Sequence, residues 1–184
     1  ADVDARTPDG RTPLFDAAGR GGAVVVAVLL AKGADIKARD ERGTTALHCA
    51  AVHAEVVKLL LDKGADAGAK AADGATPLHW AVRNPFDPKG TATAVKLLLA
   101  KGADINARTR EGETPLHWAV RQAVPLPDQD ARSTTAVIRL LLDRDADVNA
   151  RTKAGETPLN LAFYAWHGLN DAVIALLKAR GGTW

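Results

Sequence analysis

Apolar residues recur along the chain in five runs with helical spacing: Val24 to Leu30, Val56 to Leu61, Val95 to Leu99, Val137 to Leu142 and Val173 to Leu177. Val/Ile and Leu pairs three and four residues apart lay one apolar stripe along a helix. A shorter apolar segment precedes each run and opens on Thr. These segments read Thr12-Pro13-Leu14-Phe15, Thr45-Ala46-Leu47-His48, Thr76-Pro77-Leu78-His79, Thr114-Pro115-Leu116-His117 and Thr157-Pro158-Leu159-Asn160. A Thr hydroxyl can cap free backbone N–H groups and Pro suits a first turn, so each segment predicts a helix of about two turns. The pattern therefore predicts five pairs of short helices.

The pairs are copies of one another. Thr76 to Val82 and Thr114 to Val120 are identical over seven residues. The leading threonines are separated by 33, 31, 38 and 43 residues. A second marker, Ala34-Asp35, Ala65-Asp66, Ala103-Asp104 and Ala146-Asp147, steps by 31, 38 and 43. Each Ala-Asp thus lies a fixed 11 residues before the next Thr, and the length variation falls between Thr and the following Ala-Asp. The second helices end at Gly33, Gly64, Gly102 and Gly181, where a left-handed residue is needed. Asp145 stands there in the fourth copy, at a cost of about 1 kcal/mol. Turns on Gly10, Gly43, Gly74, Gly112 and Gly155 lead into the next Thr.

A turn and two antiparallel helices in about 33 residues, with a Thr-Pro-Leu-His-x-Ala signature, resembles the ankyrin repeat. The resemblance covers essentially the whole chain. It implies an all-α helix-turn-helix solenoid with short β-hairpin turns, whose hairpin tips and first helices line a concave face, and whose usual task is protein binding. The expected organisation is a single solenoid over 1–184, with repeats near 5–37, 38–68, 69–106, 107–149 and 150–184. Ala1 to Arg6 matches Ala103 to Arg108, so residues 1–6 read as the tail of an earlier unit and the native chain is expected to continue upstream. The chain has no Met, which makes its start a processed or cut end.

Departures from the period carry information. Repeat two is two residues short and lacks the Pro after Thr45. Repeat three exceeds the period by five residues, across Arg83 to Thr93, and repeat four by ten, across Arg121 to Ser133. Repeat five exceeds it by about three, near Phe163 to Asp171. All fall between the helices of a unit and are expected to be loops. Repeat two and the two ends are expected to be the weakest parts.

Composition narrows the function. With 24 basic and 22 acidic residues, the net charge of +2 is too small to imply nucleic acid or membrane binding by electrostatics alone. No apolar run approaches the roughly 20 residues needed to span a bilayer, and no signal peptide is visible. A soluble chain is expected, with the cytoplasm favoured and the periplasm or a secreted location left open. Cys49 alone excludes an internal disulfide framework and a cysteine-based zinc site. Ala is abundant and aromatics few, which suits helices packed closely together.

Candidate chemistry mostly dissolves into structure. His48, His79 and His117 form a column, but units stacked roughly 10 Å apart cannot share a metal. In ankyrin-like repeats this His ties adjacent turns together. Cys49 reads as a small core residue. Arg6, Arg39, Lys70, Arg108 and Arg151 form a basic column, read as a solvated hairpin edge balanced by Asp2, Asp35, Asp66, Asp104 and Asp147 rather than an anion-facing stripe. No phosphate loop, nucleophile elbow or paired-carboxylate motif is present. No catalytic residue, metal or cofactor is expected.

Trp80 and Trp118 follow the signature His, side by side in stacked neighbours, and partly exposed Trp is a favoured interface anchor. Phe86 and Leu126 are set among prolines in the long segments, where stiffness lowers the entropy lost on binding. The expected partner surface combines Arg11, Arg42, Asp73, Trp80, Arg83, Phe86, Arg110, Glu111, Trp118, Arg121, Leu126, Tyr164 and Trp166. Phe163 is expected in the core. The expected function is protein recognition by a monomer. A regulatory or spacer segment of a larger protein is the alternative, and a small-molecule binder or enzyme using the groove near Trp80 and Trp118 a remote one.

Overall fold

A computed structural model describes residues 2–83, 87–123, 131–164 and 171–184. Ten helices occur among them: α1 (Pro13–Gly19), α2 (Ala23–Ala31), α3 (Ala46–Ala50), α4 (Ala54–Asp62), α5 (Pro77–Ala81), α6 (Pro88–Ala100), α7 (Pro115–Gln122), α8 (Ala131–Leu142), α9 (Pro158–Tyr164) and α10 (Asp171–Ala179). The odd-numbered first helices contact one another in sequence, and so do the even-numbered second helices. Two layers result, with one core between them. Leu14, Leu47, Leu78, Leu116 and Leu159 repeat one position in that core, and each is at most 1% exposed. Each such burial is worth about 1.5–3 kcal/mol.

The hairpins are turns, without strands among the described residues. Each closes on a pair of backbone bonds, for example Asp40 N to Thr44 O at 3.2 Å with Gly43 N to Asp40 O at 2.9 Å. One bond then joins each tip to the next: Glu41 N to Asp9 O, Ala72 N to Arg42 O, Arg110 N to Asp73 O and Lys153 N to Glu111 O. The third and fourth tips come closest. At Gly74 (φ +83) an added Cβ would lie 3.0 Å from the Arg110 nitrogen, so only glycine serves there.

Side chains add two further locks, and both are uneven. Arg6 Nη1 donates to Gly10 O at 2.9 Å within its own tip and to Arg39 O at 2.8 Å in the next. Arg39 repeats this with Gly43 O and Lys70 O, Arg108 with Gly112 O and Arg151 O, and Arg151 with Gly155 O and Trp184 O. The basic column is therefore a ladder of guanidinium–carbonyl bonds, and its partners are carbonyls rather than the aspartates expected to balance it. Lys70 interrupts it. The other lock runs from Asp4 to the Asp35 N–H, from Asn106 to the Asp147 N–H, and from Asn149 to the Thr183 N–H. Lys37 and Gly68 occupy that position in the second and third tips. The junction between the third and fourth tips thus lacks both side-chain locks.

Helix starts depend on the residue three after Thr. In α3, α5 and α7 that residue is His, which forms a capping box with Thr45, Thr76 or Thr114. Asn160 accepts from the Thr157 N–H in the same way at 2.9 Å. Phe15 stands there in the first repeat, and the buried Thr12 hydroxyl has no partner. Asp145 sits at φ +65 where the other units place glycine.

The long segments are not simply loops. In repeat three, α6 runs for 13 residues from Pro88, with the Asp87 carboxylate accepting from the Gly90 N–H at 2.9 Å. Most of the extra length is thus a helix extension. In repeat four, α7 runs for eight residues where α5 runs for five, and Ala131 to Ser133 already belong to α8.

The two ends expose apolar groups. α2 has no charged residue, and Val24, Val25 and Val28 are 78%, 54% and 49% exposed. Val56, at the register of Val25 one repeat later, is fully buried because α4 has α2 beside it. At the other end Phe163 is 44% exposed, which corrects its expected place in the core. It packs edge-on against Tyr164 and Trp184, with both ring centroids 5.5 Å away. Lys178 lies over the Trp184 ring at 5.2 Å.

Candidate functional site

Trp80 on α5 and Trp118 on α7 each stand on the histidine of the preceding repeat. Trp80 meets His48 edge-on at 5.8 Å between centroids, and Trp118 meets His79 at 5.2 Å. The histidines are fixed first. The Nδ1 of His48 accepts from the Thr45 N–H at 3.1 Å, so its proton is on Nε2, which donates to Ala75 O at 3.2 Å. His79 and His117 repeat this with Glu113 O and Glu156 O. Burial pushes His48 and His79 down to about 4, and lowers His117 as well. Neutral rings with both nitrogens engaged have no lone pair left for a metal. Among the described residues no group of three His, Cys, Asp or Glu is placed to hold one.

Differences between the two Trp positions trace to one residue. Trp118 Nε1 donates to Glu113 Oε2 at 2.8 Å, and the other Glu113 oxygen pairs with Arg121. Ala75 stands five residues before Trp80, where Glu113 stands before Trp118. The buried Trp80 Nε1 accordingly has no hydrogen-bond partner. The guanidinium carbon of Arg83 lies 5.7 Å from the Trp80 ring centroid and 5.6 Å from that of Trp118, within the range of cation–π attraction.

These residues line two adjoining hollows of about 430 and 410 Å³. The first is walled by Glu41, Arg42, Thr44, Asp73, Trp80, Arg83 and Trp118, and the second by Asp73, Thr109, Arg110, Glu111, Glu113 and Trp118. Among the described residues the walls are the second, third and fourth tips and the first helices, with Arg83 from just beyond α5. Arg42, Asp73, Trp80, Arg83, Arg110, Glu111 and Trp118 are thus brought together, and Arg121 joins them through Glu113.

Arg11 is not part of this groove. It pairs with Asp16 at 3.5 Å, approaches Cys49 Sγ at 3.7 Å, and lines a separate hollow of about 590 Å³ at the N-terminal end, between α1 and the apolar face of α2. Burial raises the Cys49 thiol, which makes it a poor nucleophile. Tyr164, 68% exposed, belongs to the C-terminal aromatic group. Phe86, Leu126 and Trp166 lie outside the described residues. Sequence reasoning placed the two Trp side by side and named Arg83 and Arg121 in the surface, but not the place of Arg83 between the rings or the Glu113 link to Arg121. The spacing of Trp80 and Arg83, one helical turn apart, was the available signal.

No described helix is long and apolar enough to cross a membrane. A family model for ankyrin repeats in three copies matches residues 1–71 and 55–130, and a single ankyrin-repeat model matches residues 111–153. No curated protein matches the chain.

Proposed function

Since the chain belongs to the ankyrin-repeat family, we propose that it is a protein-binding module whose partner docks on the groove formed by the second to fourth tips and the Trp80–Trp118 pair. Ankyrin repeats are typically non-catalytic interaction modules. The observation that carries this reading is the pair of half-buried indoles lining adjoining hollows, rimmed by the exposed Arg42, Arg110 and Glu111. Half-exposed Trp and Arg in a depression are the residues that dominate binding energy at protein interfaces. Among the described residues of this groove no set of groups matches the chemistry of a hydrolase or a metal enzyme. The His column is committed to neighbouring carbonyls, and the thiol is held protonated.

A photocrosslinking amino acid at Arg110, on the groove, and another at Lys58, on α4, test the reading in extracts of the source cells. A discrete adduct from position 110 and none from position 58 is the expected result. Adducts from position 58 alone would move the binding face elsewhere.

A further inference from the structure

We propose that Arg83 is the anchor for a single carboxylate, an Asp or Glu side chain of the partner, held ready by the two indoles. The inference rests on the groove being the protein-binding face. The guanidinium is within cation–π distance of both rings, and the rings offer π faces but no acceptor for its N–H groups. Among the described residues no carboxylate, carbonyl or hydroxyl takes a hydrogen bond from it. Six other arginines are committed, Arg6, Arg39, Arg108 and Arg151 to backbone carbonyls, Arg11 to Asp16 and Arg121 to Glu113, and of the exposed cations on the groove Arg83 is the one set against the two indoles.

A guanidinium carries five donors in one plane, and their fork matches the two oxygens of a carboxylate. Contact with two indoles restricts the rotamers of a long side chain, so less entropy is lost when the fork closes on a guest. Arg42 lines the same hollow and adds a second exposed cation. The acids nearby are mostly occupied. Asp73 Oδ1 accepts from the Ala75 N–H at 2.9 Å, and both Glu113 oxygens are taken by Trp118 and Arg121. Glu41 and Glu111 remain exposed on the rim. They would repel a run of acids, so the arrangement selects one carboxylate flanked by uncharged residues rather than a polyacidic tract.

The test is a selection of random linear peptides displayed against the purified chain. Enriched peptides are then titrated against the wild type, Arg83→Gln and Arg83→Lys, each checked for a native helical spectrum. The expected peptides carry one Asp or Glu at a fixed place between uncharged residues. They bind Arg83→Gln about tenfold more weakly and Arg83→Lys intermediately, because Lys keeps the charge but not the fork. Changing the peptide's acid to its amide should cost the wild type the same factor and Arg83→Gln nothing further. Enriched peptides without an acid, undiminished binding to Arg83→Gln, or no enrichment at all would overturn the assignment. The indole N–H resonances of Trp80 and Trp118 separate the two failures. Acid-free peptides that shift them leave the groove intact as the binding face, and peptides that shift neither remove both readings.

Discussion

Nε2 of His79 donates to the carbonyl of Glu113, 34 residues away, at 3.2 Å, while Nδ1 of the same ring caps the helix it sits on. The Nδ1 bond needs the neutral ring, and the two together need the tautomer protonated on Nε2. Burial lowers His48 and His79 from 6.5 to about 4. Between those values the unfolded chain takes up protons that the folded chain refuses. Stability is therefore fully present above the ordinary value and falls as pH drops through the window, by up to about 1.4 kcal/mol per pH unit for each ring. Urea midpoints should fall steeply from pH 6.5 toward pH 4.5. His79→Asn, which keeps the cap as Asn160 does, should cost about 1–3 kcal/mol and flatten the slope by one ring's share.

Asp145→Gly should stabilise the fold by about 1 kcal/mol, since it removes a non-glycine residue from the left-handed region. The site is exposed, so no packing is lost. Thermal melting would register this as a rise of roughly 2–4 °C for a chain of this size.

Lys70→Arg should complete the guanidinium ladder. The missing rung would donate to Gly74 O within the tip and to Arg108 O in the next, as Arg39 does with Gly43 O and Lys70 O. A gain of about 0.5–1 kcal/mol is expected in chemical denaturation. Lys70→Gln, which supplies no such fork, should leave the midpoint where it is.

Val24→Glu combined with Val28→Lys should make α2 amphipathic, as α4 is with Glu55 at the register of Val24. Both valines are exposed, so stability should change by no more than about 0.5 kcal/mol. Binding of a hydrophobic-surface dye and association at high concentration should both decrease, because two of the three exposed valines are replaced. Sedimentation velocity over a concentration series measures the second effect.

Much of the fold was legible because its signals are local. Thr before Pro, Gly after a Leu run, and Asp145 in a glycine position each act within a few residues. The start of α6 was legible too, in Asp87-Pro88, a capping residue ahead of a first-turn proline, but a surplus over the period read more readily as a loop. Phe163 was misplaced because apolar character alone does not say whether a neighbour exists to cover a side chain. The site was only half legible. The positions of Trp80 and Trp118 follow from the period, whereas the place of Arg83 between them depends on how two units stack. The bonds of Arg39 to Lys70 O and of Arg108 to Arg151 O link residues 31 and 43 apart, and no local pattern announces them.

The missing pair of locks between the third and fourth tips gives the array a mechanical asymmetry. A rod held by evenly spaced struts bends evenly, but one with two struts removed at a single joint concentrates its compliance there. Trp80 and Trp118 lie on opposite sides of that joint, and the bonds that remain across it are the Asp73–Arg110 backbone bond at 2.6 Å and the His79–Glu113 bond at 3.2 Å. The joint beneath the groove thus hangs on the tip backbone and on the same buried histidine against which Trp118 rests.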